Sequence, residues 1–233
     1  MGVRLTPTRR RGVEVLDAPD VDPSLRRRSH RDIQLSNVLF GGTHALMAEL
    51  RETLPDLPRS ATLLDVGTGV GDIPARAARM AADRGVTLLS VGLDSVEELV
   101  STSTHRIPLG VCANALALPF AARSIDVVCC SQVLHHFEEA DAVRLVSEMH
   151  RVARVRVIIS DLRRNWLAVA GLWTASFPLR FHPVSRHDGV VSILRGFTAS
   201  ELRRVVRTAV GVAPRIRHRA LFRITAAWSP ATA

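Results

Sequence analysis

Five short apolar runs punctuate the middle of the chain: Thr62–Val66, Thr87–Leu93, Leu109–Cys112, Ile125–Cys130 and Val155–Ser160. Between them, Ile73–Asp83, Ser95–Ser103 and Glu138–Arg151 carry apolar residues at helical spacing. A strand buried on both faces has no polar side to alternate with. Nearly continuous apolar strands separated by helices therefore predict a parallel sheet covered on both sides. Two further candidate strands, Pro214–Arg219 and Leu221–Ala227, bring the sheet to seven. The predicted fold is α/β, a Rossmann-like doubly wound, mostly parallel seven-stranded sheet.

Ahead of the sheet, Leu25, Ile33, Leu35, Val38 and Leu39, then Leu46, Met47 and Leu50, recur at helix spacing on either side of Gly41-Gly42. They predict two short helices forming an N-terminal cap over residues 23–58. Residues 1–22 are polar, Pro-bearing and Arg-rich, and read as a flexible tail. The remaining domain, 59–233, continues past Asp161 into an apolar stretch, Trp166–Phe181, and a loop around His182, His187 and Asp188. A helix over Thr198–Val210 follows, opened by Thr198 with Glu201 three residues on. Residues 164–197 read as a substrate lid inserted into the domain.

Composition narrows the class. A chain of 233 residues, 47% hydrophobic, builds one domain with a sizeable core. It has no apolar run of about 18 residues or more, and no apolar segment behind the N-terminal arginines that would make a secretory signal. Three cysteines, with Cys129-Cys130 inside an apolar run, suggest buried free thiols in a cytoplasmic protein. All 31 basic residues are Arg, and neither Lys nor Tyr occurs, as a GC-rich coding sequence would produce. The net charge of +9 lies at the ends: +4 over 1–31, +6 over 201–233 and −1 between. A near-neutral middle argues against a nucleic-acid partner, for which a basic face would be the footprint.

The chemistry concentrates where the first strand meets Gly67-Thr68-Gly69-Val70-Gly71. Alternate glycines let the backbone turn sharply and approach a ligand, and the following helix offers unpaired N–H groups. The spacing is G-x-G-x-G, with Asp65 two residues before it, rather than the dinucleotide pattern G-x-G-x-x-G. The second strand ends at Asp94, 23 residues after Gly71. An acid there can accept both hydroxyls of a ribose or cap the next helix.

LLDVGTGVGDIP, VGLDSVEEL, ANALALPFAARSIDVVCCSQVLHHF and SEMHRVARVRVIISD resemble, in order and spacing, the motifs of class I S-adenosylmethionine (SAM)-dependent methyltransferases. The resemblance covers roughly residues 30–225 and is similar in flavour to the quinone-biosynthesis and polyketide-tailoring enzymes of secondary metabolism. It implies SAM as cofactor and no metal. Gly67, Thr68, Gly69 and Gly71 would line its methionine and ribose, with Asp65 holding the loop or the ligand amino group. Asp94 would bind the ribose, and Ser95 or Val96 would flank the adenine. Asn114-Ala115 stand where the family has Asp-Ala against the adenine, and Asn keeps an acceptor oxygen. Gln132 would sit beside the methyl donor. The family's Pro-Gly-Gly turn before the fifth strand is absent from Val152–Val157.

Methyl transfer to a hydroxyl calls for a base. His135 and His136 follow the fourth strand, and His187 beside Asp188, with His182 nearby, is a second candidate group. Ser131-Gln132-Val133-Leu134 lacks the Pro-Pro clamp of enzymes that methylate base or amide nitrogen. Trp166, Trp173, Phe177 and Phe181 share one helix face, as core, as a lid over a lipophilic substrate, or as a peripheral membrane contact. The leading expectation is transfer to oxygen or carbon of a small lipophilic aromatic acceptor: phenolic, quinone-like or polyketide. The alternatives are an RNA- or DNA-directed methyltransferase, a nicotinamide-dependent reductase and a non-catalytic SAM-binding protein.

Overall fold

The computed structural model describes residues 5–10, 12–18 and 21–230. Two helices come first: α1 (Pro23–Leu39), capped by the Asp22 carboxylate on the Ser24 and Leu25 N–H groups, and α2 (Gly42–Thr53). They are followed by β1 (Ser60–Val66), α3 (Asp72–Ala82), β2 (Thr87–Asp94), α4 (Glu97–Ser103), β3 (Leu109–Cys112) and β4 (Ile125–Ser131). Then come α5 (Glu139–Val152), β5 (Ala153–Leu162), α6 (Trp166–Ser176), α7 (Pro183–Arg195), α8 (Ala199–Val210), β6 (Arg215–Arg219) and β7 (Arg223–Trp228).

The seven strands lie in the order β3-β2-β1-β4-β5-β7-β6, all parallel except β7, which runs antiparallel to both neighbours. Successive strand residues point to opposite faces, so Val127 and Cys129 pack with Leu63 and Ile158 under α2 and α3. Val128 and Cys130 join Leu64, Val157 and Ile159 under α5 and α8. Cys129 and Cys130 are thus buried, one on each face, whereas Cys112 is exposed, against the sequence expectation for it.

Two local predictions are corrected, and a departure noted in the sequence is accounted for. Where the sequence suggests a loose tail, described residues of it are bound to the 164–197 segment: Trp166 N–H donates to Leu5 O, Arg164 Nε to Pro7 O, and Arg10 N–H to Leu194 O. Residues 1–4, 11, 19 and 20 of that tail lie outside the described residues. The segment around His187 is a helix, α7, rather than a loop. His182 caps it, Pro183 starts it, and Gly189 sits where a Cβ would come 2.6 Å from Leu172. That glycine breaks the helical pattern in the sequence, yet it is what lets α6 and α7 close together. Finally, the missing Pro-Gly-Gly turn is replaced by direct continuation: Ala153 caps α5 and begins β5. The extra length is taken up by a register shift, with Ile125 opposite Ala153 but Val127 opposite Arg156.

Candidate active site

At the carboxyl ends of β1, β2 and β4 the sheet opens into a cavity of about 830 Å³, near the top of the usual ligand-pocket range of roughly 300–1,000 Å³. Its floor is Gly67–Val70, Asp94–Val96 and Ser131–Val133. Its roof is α1, α6 and α7, through residues such as Ile33, Asn37, Leu167, Leu172, Gly189 and Ile193.

The glycine loop has the geometry its spacing demands. Gly67, Gly69 and Gly71 hold φ of +72°, +56° and +74°, values that cost little only without a Cβ. A Cβ on Gly67 would meet Val133 at 2.4 Å, while at Gly69 nothing lies within 4 Å, so this backbone faces open space. Asp94 locks the loop: its Oδ2 accepts from Gly69 N–H at 3.0 Å and its Oδ1 from Val96 N–H at 3.1 Å. Each oxygen retains a second lone pair toward the cavity side. Asp65 lies beneath the loop, 1% exposed, its Oδ1 accepting from Cys129 Sγ at 3.5 Å. Burial pushes its carboxyl up to about 7.

The cavity thus gathers Gly67, Thr68, Gly69, Asp94, Ser95, Gln132, His135 and His136. Asp65 and Gly71 support the loop from behind. Asn114 and Ala115 are not among the lining residues, and the Asn114 carbonyl is turned onto Leu116 N–H. His187 is exposed on the far side of α7, in a separate shallow pocket with Trp173 and Val190, which takes it away from the chemistry assigned to it. Of the aromatic stripe, Phe181 alone is buried; Trp166, Trp173 and Phe177 are 40–51% exposed, so the stripe is not core.

Of the candidate histidines, His135 is the most enclosed. Its Nδ1 lies 2.7 Å from Asp161 Oδ1, and both residues are buried at 4% and 0% exposure. Asp161 also accepts from the His135 and Leu162 N–H groups. Burial works to raise the Asp161 carboxyl, but the adjacent His135 imidazole and its hydrogen bond, with the Leu162 N–H, hold it below the usual range. A carboxylate accepting at Nδ1 assigns the proton to that nitrogen and leaves the Nε2 lone pair free. Nε2 is buried and has no hydrogen-bond partner. His136 stacks against it, ring centres 4.3 Å apart.

Four contributors were not singled out from the sequence. Asp161 had a readable sign: like Asp65 and Asp94, it is an acid at the tip of an apolar strand. Glu14, 5% exposed, reaches the cavity from the N-terminal segment and accepts from Ser192 Oγ and Arg195 Nη1. Its carboxylate and the two imidazoles come within 4.8 Å of one another. Arg195, 2.9 Å from Glu14 and 3.4 Å from His136, supplies the positive charge there. Arg223, at the start of β7, donates to Phe40 O and to Gln132 Oε1. Gln132 in turn donates to Asn37 Oδ1.

Comparison with known proteins agrees with this layout. Residues 64–159 match the family described as Methyltransferase domain. The chain is 35% identical over 165 residues to an uncharacterised methyltransferase of Mycobacterium sp. (strain JLS), a match covering 70% of this chain and 58% of that protein. A relative from Mycolicibacterium gilvum (strain PYR-GCK) is 32% identical over 167 residues, with the same coverage. The chain therefore spans 58% of the length of these curated relatives. Magnesium protoporphyrin IX methyltransferase from Synechocystis PCC 6803, solved with bound SAM, shares the fold at a TM-score of 0.56 and 14% identity, over 94% of this chain and 89% of its own.

Proposed function

We propose that this chain, whose residues 64–159 match the family described as Methyltransferase domain, is a class I SAM-dependent methyltransferase that transfers the methyl group of SAM to a hydroxyl of a small, lipophilic aromatic acceptor. The observation that carries the reading is the His135–Asp161 pair: His135 lines the same cavity as the open glycine loop and the apolar roof of α6 and α7, and its Nε2 has no hydrogen-bond partner. When bound, SAM supplies an electrophilic methyl on a sulfonium centre. The chain's part is to orient the acceptor and exclude water, which the buried roof residues Leu172, Phe181 and Ile193 support. His135 Nε2 would take the acceptor's hydroxyl proton, and Asp161 would hold the imidazolium that results.

The basic ends do not favour a nucleic-acid acceptor. Arg215 and Arg219 on β6 pair with the buried carboxylate of Glu49, and Arg217 pairs with Glu52. Arg9 stacks over the Phe197 ring. These four arginines are engaged within the fold.

The decisive measurement is transfer of label from methyl-labelled SAM to a panel of phenols, hydroquinones and RNA. Label on phenols alone is expected; label on RNA alone, or none with any acceptor, would sink the proposal. A second expectation concerns Asp94. Asp94→Ala should weaken SAM binding by roughly 1–3 kcal/mol, because it frees the Gly69 N–H and removes an acceptor for the ribose hydroxyls. Titration calorimetry giving an unchanged affinity would remove Asp94 from the cofactor site.

A further inference from the structure

Arg223 is a buried cation, 3% exposed, on the wall of the cavity. Two of its five N–H donors are used, by Phe40 O at 2.8 Å and Gln132 Oε1 at 2.6 Å, and both acceptors are neutral. Among the described residues no carboxylate pairs with it. Asp161 acts on it only through space, and both oxygens of Asp161 are committed to His135 and Leu162. Burial accordingly lowers its pKa to about 10. Buried charges are ordinarily paired, since desolvation without a counter-charge costs several kcal/mol.

The surroundings are arranged around this guanidinium. Gln132, Leu221 and Phe222 hold φ of +57°, +54° and +58°, uncommon for residues with side chains. Gly42 lies where a Cβ would come 2.8 Å from Gln132 Nε2, so the Gly41-Gly42 break is what admits the Asn37–Gln132–Arg223 chain. Three other carboxylates on the lining have partners: Asp32 accepts from His182 N–H, Asp188 from Val15 and Leu16 N–H, and Glu14 from Arg195.

We infer that Arg223 and Gln132 form a seat for a carboxylate of a bound ligand, with the guanidinium's remaining N–H donors meeting the two oxygens. A planar fork with spare donors suits that group geometrically. Two sources share this chemistry: the amino-acid end of SAM, and an acidic substituent on the acceptor. That the seat serves methyl transfer rests on the function proposed above; that it takes a carboxylate does not.

Calorimetric titrations of wild type and Arg223→Gln separate the sources. The probes are S-adenosylhomocysteine, 5′-methylthioadenosine (which lacks the amino-acid end), 1-naphthoate, and 2-naphthylmethanol as the neutral control. A tenfold to hundredfold loss for S-adenosylhomocysteine, with methylthioadenosine unchanged, places the cofactor's carboxylate in the seat. The same loss for naphthoate alone places the acceptor's there. Affinities that do not change for either acid overturn the inference. Arg223→Lys, which keeps the charge, should retain part of the binding and guards against misfolding. Gln132→Glu supplies an internal carboxylate, so it should raise the melting temperature and abolish binding of the acid that uses the seat. A lowered melting temperature with binding retained would also count against the seat. If S-adenosylhomocysteine binds neither protein, the methyl-transfer reading fails, while the naphthoate arm still tests the seat.

Discussion

Replacing His135 by Gln is expected to lower the rate of methyl transfer by about 10²–10⁴-fold, the usual contribution of a positioned base, with SAM affinity little changed. The reason is geometric. His135 is the imidazole in the cavity whose second nitrogen is held by a buried carboxylate, Asp161 Oδ1, at 2.7 Å. Its Nε2 is buried without a partner. A neutral amide of similar size keeps the volume but cannot accept the proton. Asp161→Asn should cost activity as well, since an amide can turn its NH₂ toward Nδ1 and put the imidazole proton on the nitrogen that must accept. Single-turnover transfer to the best phenolic acceptor measures both. A His135→Gln enzyme within tenfold of wild type would show that the proton leaves by another route.

Asp65→Asn should stabilise the protein at pH 8 while weakening the cofactor site. The Asp65 carboxyl, pushed up to about 7 by burial from its ordinary value of 3.8, binds its proton more tightly folded than unfolded. Stability is therefore fully present below pH 4, declines as pH rises toward 7, and is level above it. Three pH units at 1.36 kcal/mol each set an upper bound of about 4 kcal/mol. Half of that would lift the melting temperature of the Asn variant by about 4–8 °C at pH 8, with little change at pH 4. Thermal melts of both proteins across pH 4–8 make the check. Parallel slopes would mean that Asp65 is not the destabilising group. The wild-type carboxylate is costly in the folded state and lies beneath the glycine loop, 1% exposed and outside the cavity lining, so a loss of SAM affinity in the Asn variant would act through the loop.

The aromatic stripe shows how far pattern carries. Seven- and four-residue spacings put Trp166, Trp173, Phe177 and Phe181 on one face, but periodicity cannot say what that face meets. In the fold, Phe181 is buried while Trp173 and Phe177 stay half exposed, touching each other edge to face and the Arg186 guanidinium. Of the stripe only Phe181 lines the cavity, beside the small and aliphatic residues of α6, Leu167, Ala168, Gly171 and Leu172.

By itself the sequence determined the sheet, its loop and its order of elements. Those rest on local physics: two-sided burial makes strands continuously apolar, and alternate glycines mark where backbone must take positive φ. Asp94, His135 and Gln132 were legible because they sit at strand tips, where the chain leaves the sheet at a fixed place. Only the tertiary structure decided which of them act together. Asp161 meets His135 across 26 positions, Arg223 meets Gln132 across 91, and Glu14 meets Arg195 across 181. His187, adjacent to an acid in sequence, is turned away by the helix it lies on. Contacts between elements depend on crossings that no local spacing records, and the acceptor side of this site is built from such contacts.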